Sequence, residues 1–311
     1  MALHRLTSIT VGVPNVAETA AYYADFGLEP LGGNVFATAD GGEQFRLVHA
    51  DRRRLVEIGI GAEDPDDLAR IERQLRGLDL GVERTGAGSG ARLVAEEPIA
   101  GFRAVISVAP RIDQQRIEPT RYNGPGRVDR ANTRARGILR EGAVTPRKLG
   151  HVVIGSTDQA ATQRFFTEGI GFKVSDVVPS IASFMRCSTD HHNVLVQQAP
   201  VNFLHHTSWQ VEDVDEVGRG AMSMLEGNPE RHVWGLGRHH VGSNFFWYLK
   251  DPAGNFSEYY SDIDCIVDDA LWEPGTWEGA KGLFSWGPPP PPSFVMPEDV
   301  AAMMTGAHSA G

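Results

Sequence analysis

Cysteine is scarce. The 311 residues contain two, Cys187 and Cys265, too few and too isolated for a disulfide framework or a thiolate metal cage, and both read as ordinary thiols of a reducing compartment. Long apolar runs are missing too: no stretch approaches the roughly 20 residues needed to span a bilayer. The opening MALHRLTSITVGV lacks the apolar core and small-residue cleavage site of a secretory signal. Together these absences predict a cytoplasmic protein with no membrane partner. Cations are outnumbered, Lys plus Arg 29 against Asp plus Glu 40 for a formal net charge of −11, which argues against nucleic acid as the main partner. The Arg-rich stretch Pro110–Lys148 carries Tyr122 as its only aromatic and reads as a solvated connector, not a nucleic-acid patch. Gly86-Ala-Gly-Ser-Gly90 leads into an expected strand, so the helix N-terminus that would hold a dinucleotide pyrophosphate is absent.

What the chain does contain is an internal repeat. KLGHVVIGSTDQAATQRFFTEGIGFKV (148–174) aligns with RLTSITVGVPNVAETAAYYADFGLEPL (5–31), and FLHHTSWQVEDVDEV (203–217) with RLVEIGIGAEDPDDL (54–68). Each unit reads as a strand, a helix and two or three further strands, a duplicated supersecondary module. This predicts an α+β chain: a paired-module domain over 1–110, a polar linker over 111–147, a second paired-module domain over 148–264 and a Trp- and Pro-rich tail over 265–311. The tail, with Trp272, Trp277, Trp286 and the run Pro288–Pro292, is expected to pack over its own subunit or a neighbour, and no order is expected from Met303 onward. In the repeat register Ser8 stands where the second half has His151, Glu57 where it has His206, and the counterpart of Glu258 falls near Ala104–Val105. Any site therefore belongs to the second half.

Chemistry concentrates around GLGRHHVGSNFFWYLKDPAGNFSEYY (235–260), an apolar hairpin with Glu258 in mid-strand. A buried carboxylate needs a cation, a metal or several donors. His151 and His206 begin equivalent strands of the two second-half modules, so the three can converge. Two imidazoles and a carboxylate on one face of a metal leave its other positions open, as in non-haem Fe(II) oxygen chemistry. Catalytic zinc is a weaker reading, since no HExxH helix occurs. Val153, two residues beyond His151 on the same strand face, and Phe184 are candidate apolar contacts for a bound ligand. Arg186 is the nearby cation that would meet a carboxylated ligand if it faces the site, and strand alternation does not fix its facing.

These residues are similar to the type I extradiol ring-cleavage dioxygenases of the vicinal oxygen chelate superfamily. Gly150-His151-Val-Val resembles the first metal-ligand motif of that family, the second histidine of Leu204-His205-His206 the second, and Glu258 in Ser-Glu-Tyr-Tyr the third. Asp190-His191-His192-Asn-Val-Leu resembles the loop that offers a catalytic histidine, and Gly237-Arg238-His239 with Tyr248 the two remaining active-site residues. The resemblance implies a vicinal oxygen chelate fold of open mixed β-barrels, Fe(II) with Mn(II) possible, and a small aromatic diol plus O2 as partners, cleaved in aromatic-compound degradation. It assigns His151, His206 and Glu258 to the metal, His192 to proton transfer, and His239 and Tyr248 to substrate oxygen. A homo-oligomer is the family habit. His191, His205 and His240 stay open as substitutes within their doublets. Two rivals also stay open: a metal-dependent isomerase or lyase of the same superfamily, which leaves His192, His239 and Tyr248 unexplained, and an aromatic-ligand-binding protein, which needs no buried carboxylate facing two histidines.

Overall fold

The structure is a computed structural model that describes residues 2–305. Strands β1 (Leu3–Val13), β2 (Glu29–Gly32), β3 (Val35–Thr38), β4 (Gly42–His49), β5 (Arg54–Ala62), β6 (Val82–Thr85), β7 (Arg92–Glu96) and β8 (Arg103–Val108) form an 8-stranded sheet, order β2-β3-β4-β1-β5-β8-β7-β6. A 9-stranded sheet follows, made of β9 (Lys148–Ser156), β10 (Lys173–Val178), β11 (Ala182–Arg186), β12 (Val194–Gln198), β13 (Phe203–Gln210), β14 (His232–Arg238), β15 (Phe245–Lys250), β16 (Phe256–Ser261) and β17 (Gly275–Thr276). Its order is β14-β15-β16-β13-β9-β12-β11-β10-β17, and neither sheet closes on itself.

The repeat survives in the registers. β1 runs antiparallel to β5 and parallel to β4, while β5 runs parallel to β8. β9, β12, β13 and β16 reproduce the same relations. In the first sheet Glu57 lies opposite Thr10 on one side and Arg103 on the other; in the second His206 lies opposite Val153 and Phe256. A helix crosses between the first two strands of each module. The clearest start is Pro65–Gly77, where Asp64 accepts from the backbone N–H of Asp66 and Asp67, Pro65 occupies the first turn, and Leu68, Ile71 and Leu75 face inward.

One core spans both sheets, which is how the first half bears on the second. Along β16 the side chains alternate. Ser257 and Tyr259 turn to the first half, where Ser257 Oγ meets Tyr22 Oη at 2.6 Å and the Tyr259 ring stacks on Phe26 at 3.9 Å with 2° between planes. Tyr259 Oη also donates to the Phe26 carbonyl oxygen at 2.6 Å. Glu258, between them, faces the other way.

The tail carries more order than its composition suggests. Thr276 and Gly275 extend the second sheet beside β10, Trp272 Nε1 donates to the Ser175 carbonyl oxygen, and Trp234 Nε1 donates to the Pro288 carbonyl oxygen. The expectation of no order from Met303 onward is corrected in part. Val300–Thr305 is helical, with Val300 and Met303 packed on Ala199 and Phe203, and Asp299 just before it is paired to the buried Arg53. Residues 306–311 lie outside the described part of the chain. Within the chain the tail lies against the second sheet and, through Asp299, against Arg53.

Candidate metal centre

His151 on β9 and Glu258 on β16 both lie opposite Ser208 of the intervening strand β13. Directly opposed residues share a face, so a small residue separates two large ligand-type side chains and leaves room for them to converge. His206 is two residues along β13 from Ser208. The ligand-type atoms of His151, His206 and Glu258 all lie within 4.8 Å of one another, and all three residues are buried. His151 Nε2 is 3.0 Å and His206 Nε2 3.6 Å from Glu258 Oε2. Gly150 makes the approach possible: a Cβ there would sit 2.1 Å from Tyr260 Oη.

The bonding within this cluster fits a cation. Glu258 is fully buried, and Asn244 Nδ2 donates to its Oε1 at 3.2 Å, yet Oε2 has no hydrogen-bond partner. His206 Nε2 is likewise buried without a partner. Burial, with the neighbouring histidines adding to it, holds the His206 imidazole well below its ordinary pKa, so protonating it does not answer the carboxylate charge. A divalent ion between the three atoms would satisfy Oε2 and both imidazoles at once. The outer bonding orients the ring of His206: His205 Nε2 meets the Phe294 carbonyl oxygen at 2.6 Å, and His205 Nδ1 meets His206 Nδ1 at 2.8 Å. Only Nε2 of His206 is left to face Glu258. Burial pushes His205 itself down to about 4, so it is neutral at pH 7, donates to the carbonyl and accepts from His206.

A cavity of about 270 Å³ opens over the three residues. His192 reaches it with its ring centroid 4.2 Å from that of His151. His239 Nδ1 donates to the Leu283 carbonyl oxygen at 2.5 Å, and its Nε2 meets Tyr248 Oη at 2.8 Å. Burial lowers the His239 pKa, while burial and then the Glu258 charge raise that of Tyr248 well above the phenol range. Tyr248 therefore keeps its proton and gives it to His239 in a hydrogen bond. Val153, Phe184, Leu195, Val241 and Leu283 supply apolar wall.

All eight residues singled out in the sequence line this cavity or meet at its floor: His151, Val153, Phe184, His192, His206, His239 and Tyr248 in the lining, Glu258 beneath. Of the open substitutes, His191 stands behind His192, His205 reaches the cavity wall but has both nitrogens engaged by His206 and the Phe294 carbonyl, and His240 packs on Trp277, 4.5 Å between centroids. Arg186 is turned away; its guanidinium bonds Ser175 Oγ at 2.8 Å and Asp269 Oδ1 at 2.5 Å. Sequence reasoning missed Asn244, whose signal was a polar amide at the mouth of the FFWYLK strand. It also missed Leu283 and Phe294, which line the cavity and whose backbone carbonyls accept from His239 and His205, a contribution with no sequence signal.

Paired modules in an open sheet, with two imidazoles and a carboxylate converging in the second pair, define a metal enzyme of the glyoxalase and dioxygenase type. The model of the Glyoxalase/Bleomycin resistance protein/Dioxygenase superfamily matches residues 148–259. The chain is 30% identical to metapyrocatechase 2 of Cupriavidus necator over 94% of this chain and 92% of that one. It is 24% identical to a manganese-dependent 2,3-dihydroxybiphenyl 1,2-dioxygenase of Geobacillus genomosp. 3, over 93% and 95% of the two chains. Among solved structures, the Mn(II)-bound glyoxalase from Novosphingobium aromaticivorans superposes with a TM-score of 0.73 at 25% identity, covering 92% of this chain and 91% of that one. The chain belongs to this superfamily, in its branch of extradiol ring-cleavage dioxygenases.

Proposed function

We propose that the protein opens the ring of a small, uncharged aromatic vicinal diol with O2, breaking the carbon–carbon bond beside the hydroxyl pair and placing both oxygen atoms in the ring-opened product. The observation that carries this reading is the convergence of His151, His206 and Glu258 on the floor of an apolar cavity that also holds His192, His239 and Tyr248. His151, His206 and Glu258 would hold Fe(II); Mn(II) is the second reading, favoured by the manganese named in two of the relatives. When bound, the metal would acidify a diol hydroxyl and relay electrons from the diol to O2. His192 would take the hydroxyl proton and later return it to an oxygen of the reacting group. The Tyr248 and His239 pair would hydrogen-bond a diol oxygen and fix the ring's orientation. Val153, Phe184, Leu195 and Val241 would hold the ring and keep water out. Among the described residues no Lys or Arg lines the cavity, and Arg186 is spent on Asp269, which favours a substrate without a carboxylate. Assembly as a homo-oligomer and a cytoplasmic location are part of the same reading; among the described residues no helix is long and apolar enough to cross a membrane.

Anaerobic reconstitution with Fe(II), then catechol, 3-methylcatechol or 2,3-dihydroxybiphenyl in air, tests it. A yellow ring-opened product with O2 uptake is expected from the wild type and none from Glu258→Ala. Metal binding without O2 uptake on any diol would refute ring cleavage in favour of an isomerase or lyase. Mn(II) in place of Fe(II) in the same assay separates the two metals.

A further inference from the structure

His192 is not held alone. Its Nδ1 lies 3.1 Å from His191 Nδ1, and His191 Nε2 lies 3.2 Å from Asp176 Oδ2. All three side chains are buried. Asp176 accepts two further hydrogen bonds, from Trp277 Nε1 at 3.0 Å and from the Gly275 N–H at 2.5 Å. Trp272 packs edge-on against His191, 5.4 Å between centroids. Burial alone would raise the Asp176 pKa, but the donors from His191, Gly275 and Trp277 outweigh it and hold the carboxyl below its ordinary value. An ionised Asp176 can only accept, so His191 Nε2 carries the hydrogen. In its neutral form His191 then has only a lone pair at Nδ1, so the hydrogen in the short contact to His192 Nδ1 belongs to His192; a doubly protonated His191 would donate there instead and reverse the tautomer, and nitrogen-15 spectra separate the two. The proton of a neutral His192 is thereby placed at Nδ1, and Nε2, the nitrogen left for the cavity, is a bare acceptor.

We infer that Asp176 and His191 are positioning residues that fix the tautomer of His192 with its Nε2 lone pair toward the substrate. The tail segment Trp272–Trp277 belongs to the device by clamping Asp176 and His191. The inference rests on the proposed role of His192 as a proton acceptor, but the tautomer can be read without any turnover. The first histidine of the other doublet is set in a similar way, His205 to the Phe294 carbonyl on one side and to His206 on the other, so the pattern is built twice with different anchors.

The test is nitrogen-15 and proton correlation NMR of the full chain, labelled at histidine and loaded with diamagnetic Zn(II), with His192 assigned by its loss in His192→Gln. His192 is expected as the Nδ1–H tautomer in the wild type. In His191→Phe and Asp176→Asn it is expected to move to the Nε2–H form or to a mixture of the two. A wild-type His192 found as Nε2–H or as a mixture overturns the inference, and that outcome needs neither variant to fold. An unchanged Nδ1–H signal in a folded His191→Phe or Asp176→Asn overturns it as well. With Fe(II) and an active diol, His191→Phe should lose about tenfold or more in kcat with diol affinity within about twofold. An unaltered kcat would show that the tautomer is not used. Absence of ring cleavage in the wild type would instead strike at the reaction and leave the spectra to decide the relay.

Discussion

Asn244 holds one oxygen of Glu258 and leaves the other turned toward His151 and His206. Asn244→Ala removes that hydrogen bond while sparing all three ligand-type residues. Loss of such an outer partner is expected to weaken metal binding by about 10 to 100-fold, measured by competition against a chelator, and unchanged affinity would show that Glu258 is held by packing alone. At this scale the sequence was legible where a residue was anomalous for its surroundings: a carboxylate among strand aromatics, histidines at equivalent strand starts. It was not legible within the doublets. Neighbours on a regular strand face opposite ways, yet His205 and His206 both line the cavity. The register of β13 against β9 slips between Leu204 and His206, so His205 is the extra residue of a bulge. A bulge depends on the partner strand, and the sequence of one strand does not announce it.

The strands that carry His151, His206 and Glu258 were readable as elements because their apolar runs are bounded by turns, and the repeat supplied their order. What escaped was how closely they approach. β9 packs on Tyr260 through Gly150, and no local rule distinguishes this glycine from one that is merely tolerated. Gly150→Ala would drive a Cβ to 2.1 Å from Tyr260 Oη and 2.4 Å from its ring, with that tyrosine buried and unable to swing out. We expect a loss of about 1–3 kcal/mol from overpacking and a fall in bound metal, read together by urea titration and metal content. Gly77→Ala, at the end of a helix with nothing within 4 Å of the new methyl, is the control and should be neutral or stabilising by up to about 1 kcal/mol. Equal destabilisation by both would refute the close-approach account. The tail was the least legible element. Its work is done by the carbonyls of Leu283 and Phe294 and by the indoles of Trp272 and Trp277, and only the folded second sheet gives those groups partners.

At the scale of the whole molecule the first half, which lacks the ligand set, acts as a support: Tyr22, Phe26 and Tyr259 join it to the strand of Glu258. Asp251, at the turn that leads into that strand, lies on the same seam. Its Oδ1 accepts from the N–H groups of Ala253 and Asn255, and its Oδ2 from Asn255 Nδ2 at 3.0 Å and Tyr23 Oη at 3.3 Å. Burial raises its pKa to about 6, despite the opposing pull of the Asn255 and Ala253 donors and of Arg53. An unfolded aspartate titrates near about 3.9. Between those values the folded chain binds the extra proton, so this group's contribution to stability is fully present below about pH 4 and is lost as pH rises through about 6. The whole window corresponds to roughly 3 kcal/mol, of which about 1.4 falls between about pH 5 and 7.5. Asp251→Asn mimics the neutral acid: its oxygen can keep the two backbone donors, and its amide nitrogen can face Asn255 once that side chain flips to present Oδ1, which is buried without a partner in the wild type. Urea titrations of the metal-free protein should therefore show the variant gaining on the wild type by about 1 kcal/mol or more from about pH 5 to 7.5. A gap independent of pH would mean that Asp251 is ionised across the range, its charge met by Arg53 and the turn. The opposite slope would mean that the ion is what the seam was built to hold.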